Sequence, residues 1–219
     1  MTFSQKLFLI VFRPLLNILF SWKVVGRENV PLTGPLILVS NHVHVLDPLL
    51  IVFGFPRWIN FLAKEELFRS AFLRAWLRWA GSFSVRRAGG RKEKENVLQD
   101  AINALERGSM VGVFPEGRRS RDGVLREGKP GCALIAWKTN APILPVGVAG
   151  TYKVNGISWL WKRPRIVVNI GRPFTLPPSP AGVGRSHRRS STAVIMSEIA
   201  ALLPPEYRGA YSTNEHREG

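Results

Sequence analysis

The chain is poor in the groups that most often carry chemistry. Its 219 residues include one cysteine, four histidines and 15 acidic side chains. With Cys132 alone, no intramolecular disulfide can form. His42 and His44 stand together, while the other two histidines lie far down the chain. An HxH pair with so few further ligands argues against a metal site. No uninterrupted apolar run reaches the ~20 residues that a spanning helix needs. The candidate, residues 1–21, is split by Arg13-Pro14 at its centre, and no small-residue cleavage site follows it, so a signal peptide is also a poor fit. No internal repeat and no nucleic-acid-binding motif is present. No serine or cysteine sits in a convincing nucleophile setting.

The scarcity of acid has its own consequence. Against 31 Lys+Arg it leaves a formal charge of +16. Such a surface calls for a polyanionic partner: an anionic membrane, a phosphorylated ligand, an acidic carrier protein or nucleic acid. A hydrophobic content of 45% is enough for a sizeable core.

The apolar segment 1–21 is expected to form two half-helices, broken at Arg13-Pro14, that lie in the membrane interface. Packing of this segment on the domain is the alternative. Strands are expected at 22–26, 35–40, 58–63, 82–85, 110–114, 143–148 and 165–170. Helices are expected at 48–55, 65–80, 91–105, 132–138 and 192–203. The alternation predicts an α/β fold with a mixed, largely parallel central sheet flanked by helices. The boundaries are a membrane-associating segment 1–21, an α/β domain 22–172, a Pro-rich linker with a C-terminal helix 173–204, and a disordered tail 205–219. Trp159 and Trp161, with Lys162, Arg163 and Arg165, are expected to form a basic aromatic lip.

The stretch from Asn41 to Pro48, NHVHVLDP, organises the rest. His42 and Asp47 are five positions apart, which puts them on different faces of an unbroken helix. They can meet across a turn, and Pro48 favours a turn that opens into a helix. A carboxylate on one ring nitrogen would fix the tautomer and leave the other nitrogen to take a proton from a hydroxyl. The competing reading makes Asp47 a helix N-cap and His42 structural. Lys64, Arg87 and the segment Glu116-Gly117-Arg118-Arg119 also fall just past expected strands, where open α/β sheets place their sites. Gly117 would allow close backbone approach, and the guanidinium groups match phosphate geometry.

With these blocks in view, the chain resembles the glycerolipid acyltransferases, which include the 1-acylglycerol-3-phosphate acyltransferases. Asn41-His42 through Asp47 matches the NHxxxxD block. Residues 81–87, GSFSVRR, resemble the second block. Residues 114–120, FPEGRRS, resemble the third, and 141–146, APILPV, the fourth. The resemblance implies transfer of an acyl chain from acyl-CoA or acyl carrier protein to the hydroxyl of 1-acylglycerol-3-phosphate, giving phosphatidic acid. It implies no cofactor and no metal. His42 would be the base and Asp47 its orienting partner. Arg87, Glu116, Gly117 and Arg119 would bind the acceptor, and Lys64 is added to them on its position and charge. Two departures stand out: His44 replaces a common serine, and Arg118 replaces a threonine. A lysophospholipid, glycerol 3-phosphate or a glycolipid is the alternative acceptor. A basic membrane- or nucleic-acid-binding module is the non-enzyme alternative. The expected location is peripheral or monotopic, on a membrane facing the cytoplasm.

Overall fold

The computed structural model describes residues 1–64, 70–85, 91–154, 159–178 and 185–212. Seven strands form one sheet: β1 (Ser21–Val25), β2 (Leu36–Ser40), β3 (Ile59–Lys64), β4 (Phe83–Val85), β5 (Met110–Val113), β6 (Ile143–Ala149) and β7 (Arg165–Ile170). Their spatial order is β1-β7-β6-β2-β5-β3-β4. The run from β6 to β4 is parallel throughout. β7 is antiparallel to β6 and parallel to β1. The expected mixed, largely parallel sheet is therefore what forms, and its central strands are buried along their whole length because both faces are covered.

Among the described residues seven α-helices pack around it: α1 (Phe3–Leu19), α2 (Asp47–Gly54), α3 (Ala71–Trp79), α4 (Arg91–Glu106), α5 (Gly131–Thr139), α6 (Trp159–Lys162) and α7 (Arg185–Ala201). The two-residue period of β2 divides the core. Ile37 and Val39 face α4, α5 and α7, where they meet Ala101, Leu105, Ile135, Ile195 and Ile199. Leu36 and Leu38 face the other way, toward Ile51 of α2 and Phe55 just past its end. A third cluster joins Leu16 and Phe20 to Leu50 and Phe53, so α1 rests on the outer side of α2. Glycines end α3 and α4. Gly81 and Gly108 take left-handed angles, and the amides of Gly81 and Ser82 return to Arg78 and Leu77.

Three expectations need correction. The N-terminal segment is one helix, not two, and it runs through Pro14. A proline removes the bond to the carbonyl four residues back. Here Pro14 and Ile10 both lie on the exposed face, so that carbonyl is on the outer surface. The helix start is secured by a capping box between Thr2 and Gln5. Secondly, residues 173–178 are a strap and not a loose linker. Phe174 exchanges both backbone hydrogen bonds with Ile143, at 2.7 and 2.9 Å, and Trp137 donates its indole N–H to the Pro177 carbonyl. Thirdly, residues 205–211 form two short 3₁₀ turns in place of a disordered tail. Tyr207 anchors them: its side chain is buried, its hydroxyl accepts from the Gly150 amide, and its carbonyl accepts from Leu125 N. Residues 213–219 lie outside the described part.

The aromatic lip also divides. Trp159 stacks on Phe20 with ring centres 5.0 Å apart, whereas Trp161 is 88% exposed. The part of the 65–80 helix before Ser70 lies outside the described residues.

Candidate active site

Because β2 and β5 are neighbours, the turns that follow them meet at the carboxyl edge of the sheet. Asn41 fixes the first turn. Its side-chain amide donates to the Val148 carbonyl and accepts from the Val148 amide, both at 2.8 Å, which extends the β2–β6 ladder by one side chain. That amide is therefore fully used in structure.

The His42 ring nitrogen Nδ1 lies 3.0 Å from Asp47 Oδ2. The same carboxylate oxygen accepts from the amides of Val43 and His44, each at 2.7 Å. Asp47 opens α2, yet its carboxylate points back into the turn and not down the helix, as an N-cap would. That orientation sets aside the N-cap reading of Asp47. Asp47 is wholly buried, and its other oxygen, Oδ1, has no hydrogen-bond partner among the described residues. A carboxylate at Nδ1 places the imidazole proton there, so Nε2 carries the lone pair. His44 is arranged differently. Its main chain reaches Asp47, while its ring accepts from Leu46 N at 3.3 Å. Burial pulls the His44 pKa down, and Arg119 and His42 add to that effect against the pull of Asp47.

The second turn brackets the His42 peptide. Glu116 Oε1 accepts from His42 N at 2.8 Å, and the His42 carbonyl accepts from Ser120 N at 2.7 Å. Glu116 Oε2 accepts from Arg126 N at 3.2 Å. Glu116, expected at the acceptor, is only 3% exposed, and its carboxylate accepts from these two backbone amides. Burial pushes its pKa up to about 7, against those two hydrogen bonds. The Ser120 hydroxyl is tied to Asp122 and to the Val124 carbonyl.

Aromatic rings hold the imidazole from one side. His42 stacks on Phe114 at 4.1 Å between ring centres, and Phe114 stacks on Phe61 at 5.4 Å. Gly112 makes room for this stack, since a methyl group there would come within 2.5 Å of the Phe61 ring.

Of the residues singled out from sequence, His42, Asp47, Glu116 and Gly117 are gathered in one place, and Arg119 is close enough to act on His44. Gly117 needs its glycine: its φ is +67°, and a Cβ there would lie 2.9 Å from Lys129 Nζ. Lys64 closes β3 at the same edge of the sheet. Arg87 lies outside the described residues. Sequence reading missed Lys129. Its amide donates to the Pro115 carbonyl, and its side chain covers Gly117. It lies in a long polar loop with no periodic signal to mark it.

The chain is similar to known proteins. The family model described as Acyltransferase matches residues 21–149. A 1-acyl-sn-glycerol-3-phosphate acyltransferase of Borreliella burgdorferi is 35% identical over 128 residues, which cover 58% of this chain and 51% of that protein. One from Bacillus subtilis is 28% identical over 153 residues, covering 69% and 73%. The chain thus spans about half the length of the first relative and about three quarters of the second. The crystal structure of the 1-acyl-sn-glycerophosphate (LPA) acyltransferase PlsC from Thermotoga maritima matches with a TM-score of 0.67 at 27% identity. That match covers 87% of this chain and 76% of the other. The family match takes in β1 through β6 and both turns of the site, and on it the chain belongs to the acyltransferase family.

Proposed function

We propose that the protein transfers a fatty acyl chain from a thioester, acyl-CoA or acyl carrier protein, to the free hydroxyl of 1-acylglycerol-3-phosphate. One observation carries this reading: an imidazole oriented at Nδ1 by a buried carboxylate beside a Gly-Arg-Arg loop. His42 Nε2 accepts the proton of the acceptor hydroxyl as its oxygen attacks the thioester carbonyl. Asp47 stabilises the imidazolium that forms. The new C–O bond replaces the C–S bond, and the departing thiolate takes the proton back from His42. Arg119, Lys129 and the Gly117 backbone are the groups for the acceptor phosphate, with Lys64 and Arg87 as further cations. The names of the relatives favour 1-acylglycerol-3-phosphate over other lipid hydroxyls.

The test is thiol release from acyl-CoA by purified protein, with lysophosphatidic acid, with lysophosphatidylcholine and without acceptor. Release that requires lysophosphatidic acid is expected. Release of equal rate with lysophosphatidylcholine would move the assignment to the broader class of lysophospholipids.

Among the described residues, no helix is long and apolar enough to cross a membrane. Phe3, Ile10 and Ile18 of α1 are each at least two-thirds exposed, on a helix whose other side is packed on α2. We place that exposed edge in the membrane interface, where the lipid acceptor lives. Burying a large apolar side chain is worth ~1.5–3 kcal/mol. Replacing all three residues by serine is therefore expected to weaken partitioning onto phosphatidylglycerol vesicles by about 100-fold or more. Sedimentation with vesicles checks this, and unchanged partitioning would place the membrane contact elsewhere.

A further inference from the structure

A recess of about 600 Å³ opens where the first turns of α7 face the loop that follows the Arg126 amide. Its size is that of a site for a small ligand. Arg188, Arg189 and Thr192 line one side, Glu127 and Gly128 another, and Tyr211 closes it. All of its α7 side lies beyond residues 21–149, so it is not built from the family's shared blocks.

The recess is tightly constructed. A methyl group on Gly128 would come within 2.7 Å of Met196 Sδ and 2.9 Å of Thr192, so the loop rests directly on α7. Burial raises the pKa of the Tyr211 phenol, the charges of Glu127 and Glu116 add to the rise, and the Gly128 backbone and Arg189 oppose it. The charge is lopsided. Two guanidinium groups face a single carboxylate, Glu127; it and Arg189 both stand at the open rim, 84% and 85% exposed, and meet only at 4.0 Å. No carboxylate among the described residues lies within salt-bridge distance of Arg188. Paired arginines in a concave site match phosphate oxygens, and the Tyr211 ring adds a flat apolar wall.

The position is as informative as the charge. Gly128 is two residues from Arg126, a reach of at most ~7 Å. The Arg126 amide sits on Glu116, and Glu116 sits on the amide of His42. The recess is therefore one short loop away from the proposed base, outside the turns that hold it.

Given the thioester donor proposed above, we infer that this recess holds the nucleotide phosphates of coenzyme A, with Arg188 and Arg189 as their ligands. The flexible arm between those phosphates and the thioester sulphur would span the loop to His42. The charge excess and the concave shape favour the compact phosphates of a nucleotide over the broad acidic face of a carrier protein.

The experiment needs no turnover. Adenosine 3′,5′-bisphosphate, the nucleotide end of coenzyme A, is titrated calorimetrically into the full-length protein and into the double variant Arg188→Gln/Arg189→Gln, with inorganic phosphate as a second probe. Binding to the wild type that weakens by at least about tenfold in the variant is expected. A parallel rise in KM for acyl-CoA, with the KM for the lysolipid unmoved, is expected from kinetics. No binding, equal binding by both proteins, or inorganic phosphate binding as tightly as the bisphosphate would overturn the inference. So would a KM rise confined to an acyl carrier protein donor. The two proposals fail separately. Nucleotide binding without any acyl transfer would keep the recess and remove the function, and acyl transfer without nucleotide binding would do the reverse.

Discussion

His42→Ala is expected to lower acyl transfer by ~10²–10⁴-fold, the usual worth of a positioned general base. His44→Ala should lower it by far less, because only the His42 ring reaches the Asp47 carboxylate. The fold should survive both changes. His42 is part-exposed, and its main-chain bonds to Glu116 and Ser120 do not need the imidazole. Single-turnover thiol release, with circular dichroism as the folding check, separates the outcomes. If His44→Ala proved the damaging change, the base would be the other imidazole, and the tautomer argument built on Asp47 would collapse. Asp47→Asn is a sterner probe of that argument. Its carboxamide can keep one good acceptor, but it removes the charge that stabilises the imidazolium, so kcat should fall even where the protein folds.

Glu116 should give the largest effect on stability. Replacing it by alanine strips the acceptor from two backbone amides, His42 N and Arg126 N. Each buried donor left unsatisfied costs ~1–3 kcal/mol, so a loss of about 2–6 kcal/mol in unfolding free energy is expected. Glu116→Gln makes a finer test, because a carboxamide offers one oxygen where the carboxylate offers two. It should be less stable than wild type and slower in kcat, with the acceptor KM little changed, since this side chain points at backbone and not at ligand. A rise in acceptor KM alone would restore Glu116 to the binding site.

The pH dependence has a definite sign. The folded pKa of Glu116 is raised from 4.5 to about 7, so between those values the folded state holds a proton that the unfolded state has lost. The contribution of this group is thus present at low pH and is lost as pH rises to about 7 and beyond. The shift corresponds to roughly 3 kcal/mol. Glutamine does not titrate, so the stability advantage of wild type over Glu116→Gln should narrow by about that much between pH 4.5 and pH 8. Urea denaturation at both pH values measures it, and a gap that stayed constant or widened would show that the carboxylate is charged in the folded state throughout.

The site's chemistry was largely written in one short stretch. His42, Asp47 and Pro48 lie within seven residues, so one local turn is enough to bring the imidazole to the carboxylate. Strand identity was legible for a related reason. β2, β5 and β6 are short apolar runs bounded by turn residues, and sheet burial on both faces demands that composition. Helix ends at Gly81 and Gly108 could be read because left-handed caps favour glycine.

What the sequence could not show is what depends on partners far along the chain. Glu116 is 74 residues from the His42 amide it holds, and Asn41 is 107 from Val148. A carboxylate beside arginines looks like a ligand-binding group until the order of β2 and β5 turns it toward backbone. The same holds for Lys129, and for Tyr207, whose buried ring makes structure out of residues that composition alone marks as a tail. Local sequence determined which groups this protein has for moving a proton, because a turn is a local object. Tertiary structure decided which of its many charged groups serve the backbone and which are left for a ligand, because burial and hydrogen-bond satisfaction belong to the packed whole.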